Sequence, residues 1–335
     1  EKIYYDLINN DIPISVSVLS EKFDEKINGV SRRTTFFEYA NEFVENCKTS
    51  KTKETVSAYR CTINSLKEFQ IYYRRRLDWN NFDHKFYNDY QAFQYNIKGN
   101  SPNLFGNRIS QIKAILNQSI KLGVNKYQMF KDYKVLRTKS KKEYLNEEEI
   151  QLLLDLDLSD NKRLKRVRDI FLVCCYTGVR FSEYKNLKQE NIELGENGKS
   201  INYYSKKTKK YINTICNDNA LELLKKYKFD LPNISGQKYN KYIKEICDLV
   251  GIDSVITVHT YKSGKAVTYQ KKKFELISSH TARRSFVTNL YKRNVSISQI
   301  MVATGHTKES TLSGYIQASA IESIDLIHQT LKKSG

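Results

Sequence analysis

Between residues 33 and 125 apolar side chains return at helical spacing in four successive stretches, which commits this part of the chain to packed helices. Phe36, Ala40, Phe43, Val44 and Cys47 share one face of the first stretch. Val56, Tyr59, Ile63, Leu66 and Tyr73 do so in the second, and Phe86, Tyr90, Phe93 and Ile97 in the third. The fourth opens at Ser101-Pro102, a cap followed by proline at the first helical position, and runs on through Phe105, Ile109, Ile112 and Leu116. The opposite faces carry Arg60, Lys67, Arg74, Arg75, Arg76, Arg108, Lys113 and Lys121. A solvated helix face has that composition, and so does a surface that meets phosphate.

Overall charge favours phosphate. The 335 residues include 56 Lys and Arg against 37 Asp and Glu, a formal net charge of +19. Such an excess points to a polyanion, nucleic acid first, with a membrane surface as the competing partner. No apolar run approaches the ~20 residues of a spanning helix, and the longest, Ile170 to Tyr176, suits a buried one. The N-terminus shows no signal peptide. The six cysteines form no C-x-x-C and no zinc spacing with the five histidines. They read as reduced thiols of a cytoplasmic protein. Among 335 residues, three prolines and no low-complexity tract argue against a large disordered region.

Residues 126–143 carry seven positive and two negative charges and read as a basic linker, a strap that gains affinity by releasing counterions from DNA. Lys139, Lys141 and Lys142 are its densest part. A second domain, 144–335, opens at Asn146, a cap with Glu149 three residues on. A buried helix of roughly residues 163–176 stops at Thr177-Gly178. Residues 191–216 alternate as a small antiparallel sheet, with turns at GENGK and KTKK. NGKS at 197–200 mimics the end of a phosphate loop, but the position of that motif's first glycine holds Glu193, which rejects nucleotide binding. Helices near 218–228 and 236–250 precede a hairpin at 255–277 that turns at Ser263-Gly264. His259 in its first strand reads as an ordinary strand residue, and Lys265 as a DNA contact.

The chemistry concentrates between His280 and Tyr315, in HTARRSFVTNLYKRNVSISQIMVATGHTKESTLSGY. His280 and Arg283 interrupt the apolar spacing of one helix, His306 follows Gly305, and Tyr315 comes nine residues later. Arg180 and Glu183 lie upstream in TGVRFSE. Two arginines, two histidines and a tyrosine, without a carboxylate pair, suit a site that holds a phosphate and attacks it. Guanidinium forks match phosphate oxygens, and a tyrosine hydroxyl can be a covalent nucleophile. Tyr315 is one of 24 tyrosines, so only its place after Gly305-His306 singles it out.

These residues resemble the tyrosine recombinases of the phage-integrase family. That family's order of T-G-x-R-x-x-E, a hairpin lysine, H-x-x-R, G-H and Y falls here on Thr177 to Glu183, Lys207, His280 with Arg283, Gly305 with His306, and Tyr315. Lys207 is chosen among Lys206, Lys207, Lys209 and Lys210 because Thr208 follows it. The wording HTARRSF and GHTKES is similar to integrases of mobile elements from Bacteroidetes-like bacteria. The resemblance implies a mainly α fold with a small antiparallel sheet, in which a helical core-binding domain, 33–125, precedes the catalytic domain. It further implies that residues 1–32 end a β-rich arm-binding domain. Catalysis would fall to Arg180, Lys207, His280, Arg283, His306 and Tyr315, supported by Glu183. Arg74, Arg75, Arg108, Lys113, Lys139, Lys141, Lys142, Lys209, Lys210, Lys265 and Arg284 would contact DNA. The partners implied are duplex DNA at specific recombination sites, further copies of the chain up to a tetrameric synapse, and accessory DNA-bending proteins. No cofactor, metal or membrane enters. Two alternatives stay open: a type IB topoisomerase-like enzyme and a DNA-binding regulator with a decayed site.

Overall fold

The computed structural model describes residues 34–138, 142–262 and 265–333. The 1–32 segment, Lys139, Lys141 and the Ser263-Gly264 turn lie outside the described residues. The chain divides into two compact units, one built on residues up to 139 and the other on most of those beyond.

The first unit holds α1 (Phe36–Cys47), α2 (Lys53–Tyr72), α3 (His84–Ala92) and α4 (Pro102–Lys121). Thr35 and Glu38 close a capping box on α1, and Ser101 caps α4 ahead of Pro102. The core is largely aromatic: Phe36, Phe69, Phe86, Tyr90, Phe93 and Phe105 are buried, with Phe86 and Tyr90 stacked at 5.4 Å. The third stretch departs from simple helical spacing. After Ala92 the helix widens into a π-turn, Phe93–Ile97, with the Lys98 N–H donating to the Phe93 carbonyl at 3.0 Å. Five residues per hydrogen-bonded loop instead of four rotates Ile97 off the core face, and it is exposed. Tyr73, past the end of α2, is likewise exposed while Phe69 takes the core position.

The second unit is wound around α6 (Lys162–Thr177), whose residues Val167 to Cys175 are all buried. Its order is α5 (Glu147–Asp155), α6, a three-stranded antiparallel sheet, α7 (Asp218–Lys226), α8 (Gly236–Leu249), the base of a two-stranded ribbon, α9 (Ser279–Lys292), α10 (Ile297–Thr304), α11 (Glu309–Ser313) and α12 (Ala320–Lys333). The sheet is β1 (Ile192–Gly195), β2 (Gly198–Ser205) and β3 (Lys210–Ile215), and the ribbon is β4 (Val255–Lys262) with β5 (Lys265–Lys272). Tyr203 pairs with Ile212 and Ser205 with Lys210. Ile201, Tyr203 and Ser205 alternate onto the buried face of β2. The fold is therefore mainly helical with small antiparallel sheets.

Candidate active site

Gly178 ends α6 in the left-handed region at φ +66, and its missing side chain leaves room for Phe286, whose ring would lie 2.3 Å from a Cβ. The chain then folds back so that the Glu183 N–H donates to the Arg180 carbonyl at 2.8 Å. Arg180 is buried, with Nη1 donating to Glu183 Oε2 at 3.1 Å and to Ser205 Oγ at 3.5 Å. Ser205 Oγ donates to the other Glu183 oxygen at 2.6 Å, and the Lys207 N–H reaches that oxygen at 3.5 Å. One carboxylate thus orients an arginine and ties it to the β2–β3 turn that presents the exposed Lys207.

Arg283 is held from the other side. Residues Thr281 to Thr288 of α9 are buried without a break, so the Arg283 guanidinium is enclosed by protein. Its Nη1 donates to the Gly178 carbonyl at 2.6 Å, and Nη2 donates to the Thr304 carbonyl. Its Nε is buried without a hydrogen-bond partner among the described residues. The buried Tyr203 hydroxyl interacts with the Arg283 charge but makes no well-formed hydrogen bond.

α10 ends at Gly305, φ +67, where Ile212 occupies the space a side chain would need. The turn delivers His306, buried, with Nδ1 2.7 Å from Thr304 Oγ1. Past α11 comes Tyr315. Its ring centroid lies 5.1 Å from that of His306, and the Arg283 guanidinium carbon lies 5.8 Å from it. Thr288 Oγ1 donates to the Tyr315 carbonyl at 3.3 Å and accepts the Gln317 N–H at 3.1 Å. A hollow of about 420 Å³ opens beside Tyr315, lined also by Lys142, Ser278, His280 and Arg284.

Positive charge dominates the site. Burial and then the Arg283, Arg180, Lys210 and Lys207 charges bring His306 down to about 4. His280 moves the same way, through partial loss of water and then the charges of Arg284, Lys207, Arg283 and Arg180. Burial and Arg180 likewise lower Arg283. Both histidines are neutral at neutral pH, beside two buried guanidiniums, of which Arg180 is paired with Glu183 and Arg283 rests on main-chain carbonyls. An anion placed there would relieve that imbalance.

The structure thus brings Arg180, Glu183, Lys207, His280, Arg283, His306 and Tyr315 together in one unit. The expected DNA contacts divide. Arg74, Lys142, Lys209 and Lys265 are exposed, Lys210 is half-buried, and Arg75 lies 3.9 Å from Asp89. Three are corrections. Arg108 turns inward to Ser65 and to Gln94 Oε1 at 2.8 Å. Lys113 Nζ donates to the Lys131 and Tyr133 carbonyls at 2.6 and 2.9 Å. Arg284 is buried, with Nε donating to the Glu143 carbonyl at 2.9 Å and Nη2 to Thr281 Oγ1 at 3.0 Å. Each has at least one donor engaged inside the protein. Sequence reasoning missed Tyr203, Ser205 and Thr304. Alternation along β2 could have placed the first two beside Ile201 on the buried face, whereas nothing in the sequence distinguishes Thr304.

Among the described residues no helix is long and apolar enough to cross a membrane, and no group of three or more His, Cys, Asp or Glu is placed to hold a metal. Residues 143–321 match the model of the phage integrase family, and residues 35–135 match the phage integrase SAM-like domain. No curated protein matches the sequence. Several solved structures share the fold. The Tn1549 transposon integrase in complex with a circular intermediate DNA has a TM-score of 0.63 at 12% identity, over 88% of this chain and 99% of that one. A lambda integrase dimer bound to a COC′ core site gives 0.63 at 13% identity, over 84% and 95%. The XerH site-specific recombinase bound to a palindromic difH substrate gives 0.59 at 15% identity, over 85% and 82%.

Proposed function

The chain belongs to the phage integrase family, the tyrosine recombinases, and we propose that it recombines DNA at specific sites through Tyr315. The Tyr315 hydroxyl attacks the scissile phosphorus, a P–O bond to tyrosine forms, and the bond to the 5′ oxygen breaks. A 3′-phosphotyrosyl link keeps the phosphodiester energy, so rejoining needs no ATP. His280, neutral at neutral pH, takes the phenolic proton. An unperturbed phenol with a pKa of about 10 is otherwise a weak nucleophile. Lys207 gives a proton to the departing 5′ oxygen. Arg180, Arg283 and His306 stabilise the non-bridging oxygens as charge builds on them.

The observation that carries this reading is the cluster around the nucleophile: the His306 ring at 5.1 Å and the Arg283 guanidinium at 5.8 Å from the Tyr315 ring. A general phosphate site would not need a tyrosine there. Tyr315→Phe should bind DNA normally and leave no protein-linked DNA in a denaturing gel, whereas an adduct formed by this variant would move the nucleophile elsewhere.

Strand exchange then passes through a four-way junction within a tetramer. The tail supports assembly: Leu326 of α12 is buried, while Ile324, Ile327 and Leu331 are exposed and available to a second copy. One such match is a lambda integrase tetramer bound to a Holliday junction, with a TM-score of 0.62, 13% identity and coverage of 91% of this chain and 87% of that one. The HTARRSF and GHTKES wording supports an origin in a mobile element of Bacteroidetes-like bacteria, acting on DNA in the cytoplasm with accessory DNA-bending proteins.

A further inference from the structure

Thr304 is the residue that α10 places between the two halves of the site. Its main-chain carbonyl accepts Nη2 of Arg283. Its side-chain oxygen lies 2.6 Å from the Ile300 carbonyl oxygen and 2.7 Å from His306 Nδ1. The hydroxyl has a single proton. Two oxygens at 2.6 Å repel unless a proton lies between them, and a carbonyl has none to give. The hydroxyl proton is therefore committed to Ile300, and Oγ1 can only accept from His306. The imidazole must then carry its neutral-state proton on Nδ1 and keep Nε2 bare. Thr304 is fully buried, so water does not compete for either bond.

We propose that Thr304 is a positioning residue for the strand-cleavage step: its hydroxyl fixes the tautomer and plane of His306, and its carbonyl fixes the fork of Arg283. The inference rests on the recombinase reading of the Tyr315 site. It adds a constraint that the reading alone does not contain. His306 enters the reaction with Nε2 as a proton acceptor, and it donates to a non-bridging oxygen once the bound phosphate's negative charge favours the imidazolium and the ring takes a proton from solvent. The Nδ1–H bond to Thr304 persists in both states, so the ring need not turn over between them. A hydroxyl in this place acts on the histidine as a carboxylate or carbonyl acts on other functional imidazoles.

The test uses the full chain with ¹⁵N-labelled histidine. In the free wild-type protein at neutral pH, the ring-nitrogen shifts of His306, assigned by their loss in His306→Gln, should show a protonated Nδ1 and a bare Nε2. Thr304→Val keeps the shape and removes the oxygen. It should shift the ring toward the Nε2–H tautomer and leave DNA affinity within about twofold of wild type. Single-turnover cleavage should slow on the order of 10²-fold, as expected when a reacting group is slightly misplaced. Thr304→Ser should restore both the tautomer and most of the rate. A wild-type His306 protonated on Nε2 overturns the proposal, and so does a valine variant that cleaves like wild type. If the valine variant does not fold, the tautomer in the wild type and the serine variant decides alone. That reading needs no DNA, so it fails or stands separately from the recombinase assignment.

Discussion

Lowering the pKa of His306 in the fold makes stability depend on pH in a calculable direction. The folded value is about 4, set first by burial and then by Arg283, Arg180, Lys210 and Lys207, against about 6.5 in an unfolded chain. The unfolded state therefore binds more protons between those values, and stability must fall as pH falls. The contribution is fully present above about pH 6.5 and is lost progressively toward about pH 4. Between those two values the complete loss is about 3 kcal/mol, and about 2 kcal/mol of it falls between roughly pH 7.5 and pH 5. His280 adds a smaller effect of the same sign. The clean perturbation is His306→Asn, which cannot titrate. Its amide can donate to Thr304 Oγ1 as Nδ1 does. Urea unfolding of both proteins should be followed by far-ultraviolet circular dichroism at the two pH values. Fluorescence of the single tryptophan, Trp79, would report on the other unit. Wild-type stability relative to the variant should drop by about 2 kcal/mol on going to about pH 5. A difference that is flat, or that grows toward acid, would mean that His306 is not held neutral by its surroundings.

Three further perturbations separate the roles of the charged side chains. Lys207→Ala should cut normal DNA some 10²–10⁴-fold more slowly and recover on a substrate whose bridging 5′ oxygen is sulfur, since a thiolate leaves without a proton. Rescue of Lys206→Ala or Lys209→Ala instead would move the acid within the turn. Glu183→Ala leaves the buried Arg180 without its carboxylate at 3.1 Å and should cost about 3–5 kcal/mol of stability; urea unfolding indistinguishable from wild type would show that the pair is not coupled to folding. Replacing Lys209 or Lys265, both exposed, with Gln should reduce the slope of log affinity against log salt by roughly 0.9 for each phosphate that is no longer neutralised. Arg108→Gln and Lys113→Gln should lower stability and leave that slope unchanged, and the reverse pattern would restore them as DNA-binding residues.

Helix spacing carried most of the fold because each apolar stripe had one partner core to face. α1, α2 and α4 keep the residues that periodicity assigned to their buried sides, apart from partly buried Phe43 and Tyr59 and exposed Tyr73. The miss at Ile97 comes from one widened turn, whose cause is a backbone hydrogen-bond choice that side-chain pattern does not register. Arg108 and Lys113 mark a different limit. Each sits in α4 beside a core residue, Ile109 or Ile112, at the edge of the apolar stripe. A long stem there can lie along the surface or reach under it, and the ending depends on which carbonyls and hydroxyls lie within reach. Those acceptors come from Ser65, Gln94, Lys131 and Tyr133, which are distant in sequence.

α9 shows why the candidate catalytic residues were easier to find than their supports. Its central eight residues, Thr281 to Thr288, are all buried, although three of them are Ser or Thr and two are Arg. Burying so many polar groups is costly unless each finds a partner. The partners are spread over the unit: Gly178 and Thr304 carbonyls for Arg283, the Glu143 carbonyl for Arg284, the Leu145 N–H for Ser285 and the Tyr315 backbone for Thr288. A helix tied in this way to the end of α6, the end of α10, the chain before α5 and the segment bearing Tyr315 cannot shift without moving the whole site. Arg283 was legible because a guanidinium among apolar neighbours is conspicuous. Arg284 was misread because its role is defined by a carbonyl 141 residues earlier, and sequence spacing carries no information about that distance. The same reasoning sets the order in which variants should fail. Substitutions at Arg284 or Ser285 should loosen the fold before they touch chemistry. Substitutions at His306 or Tyr315, which sit at the ends of turns, should remove chemistry from a folded protein, and thermal melts run beside cleavage assays would tell the two classes apart.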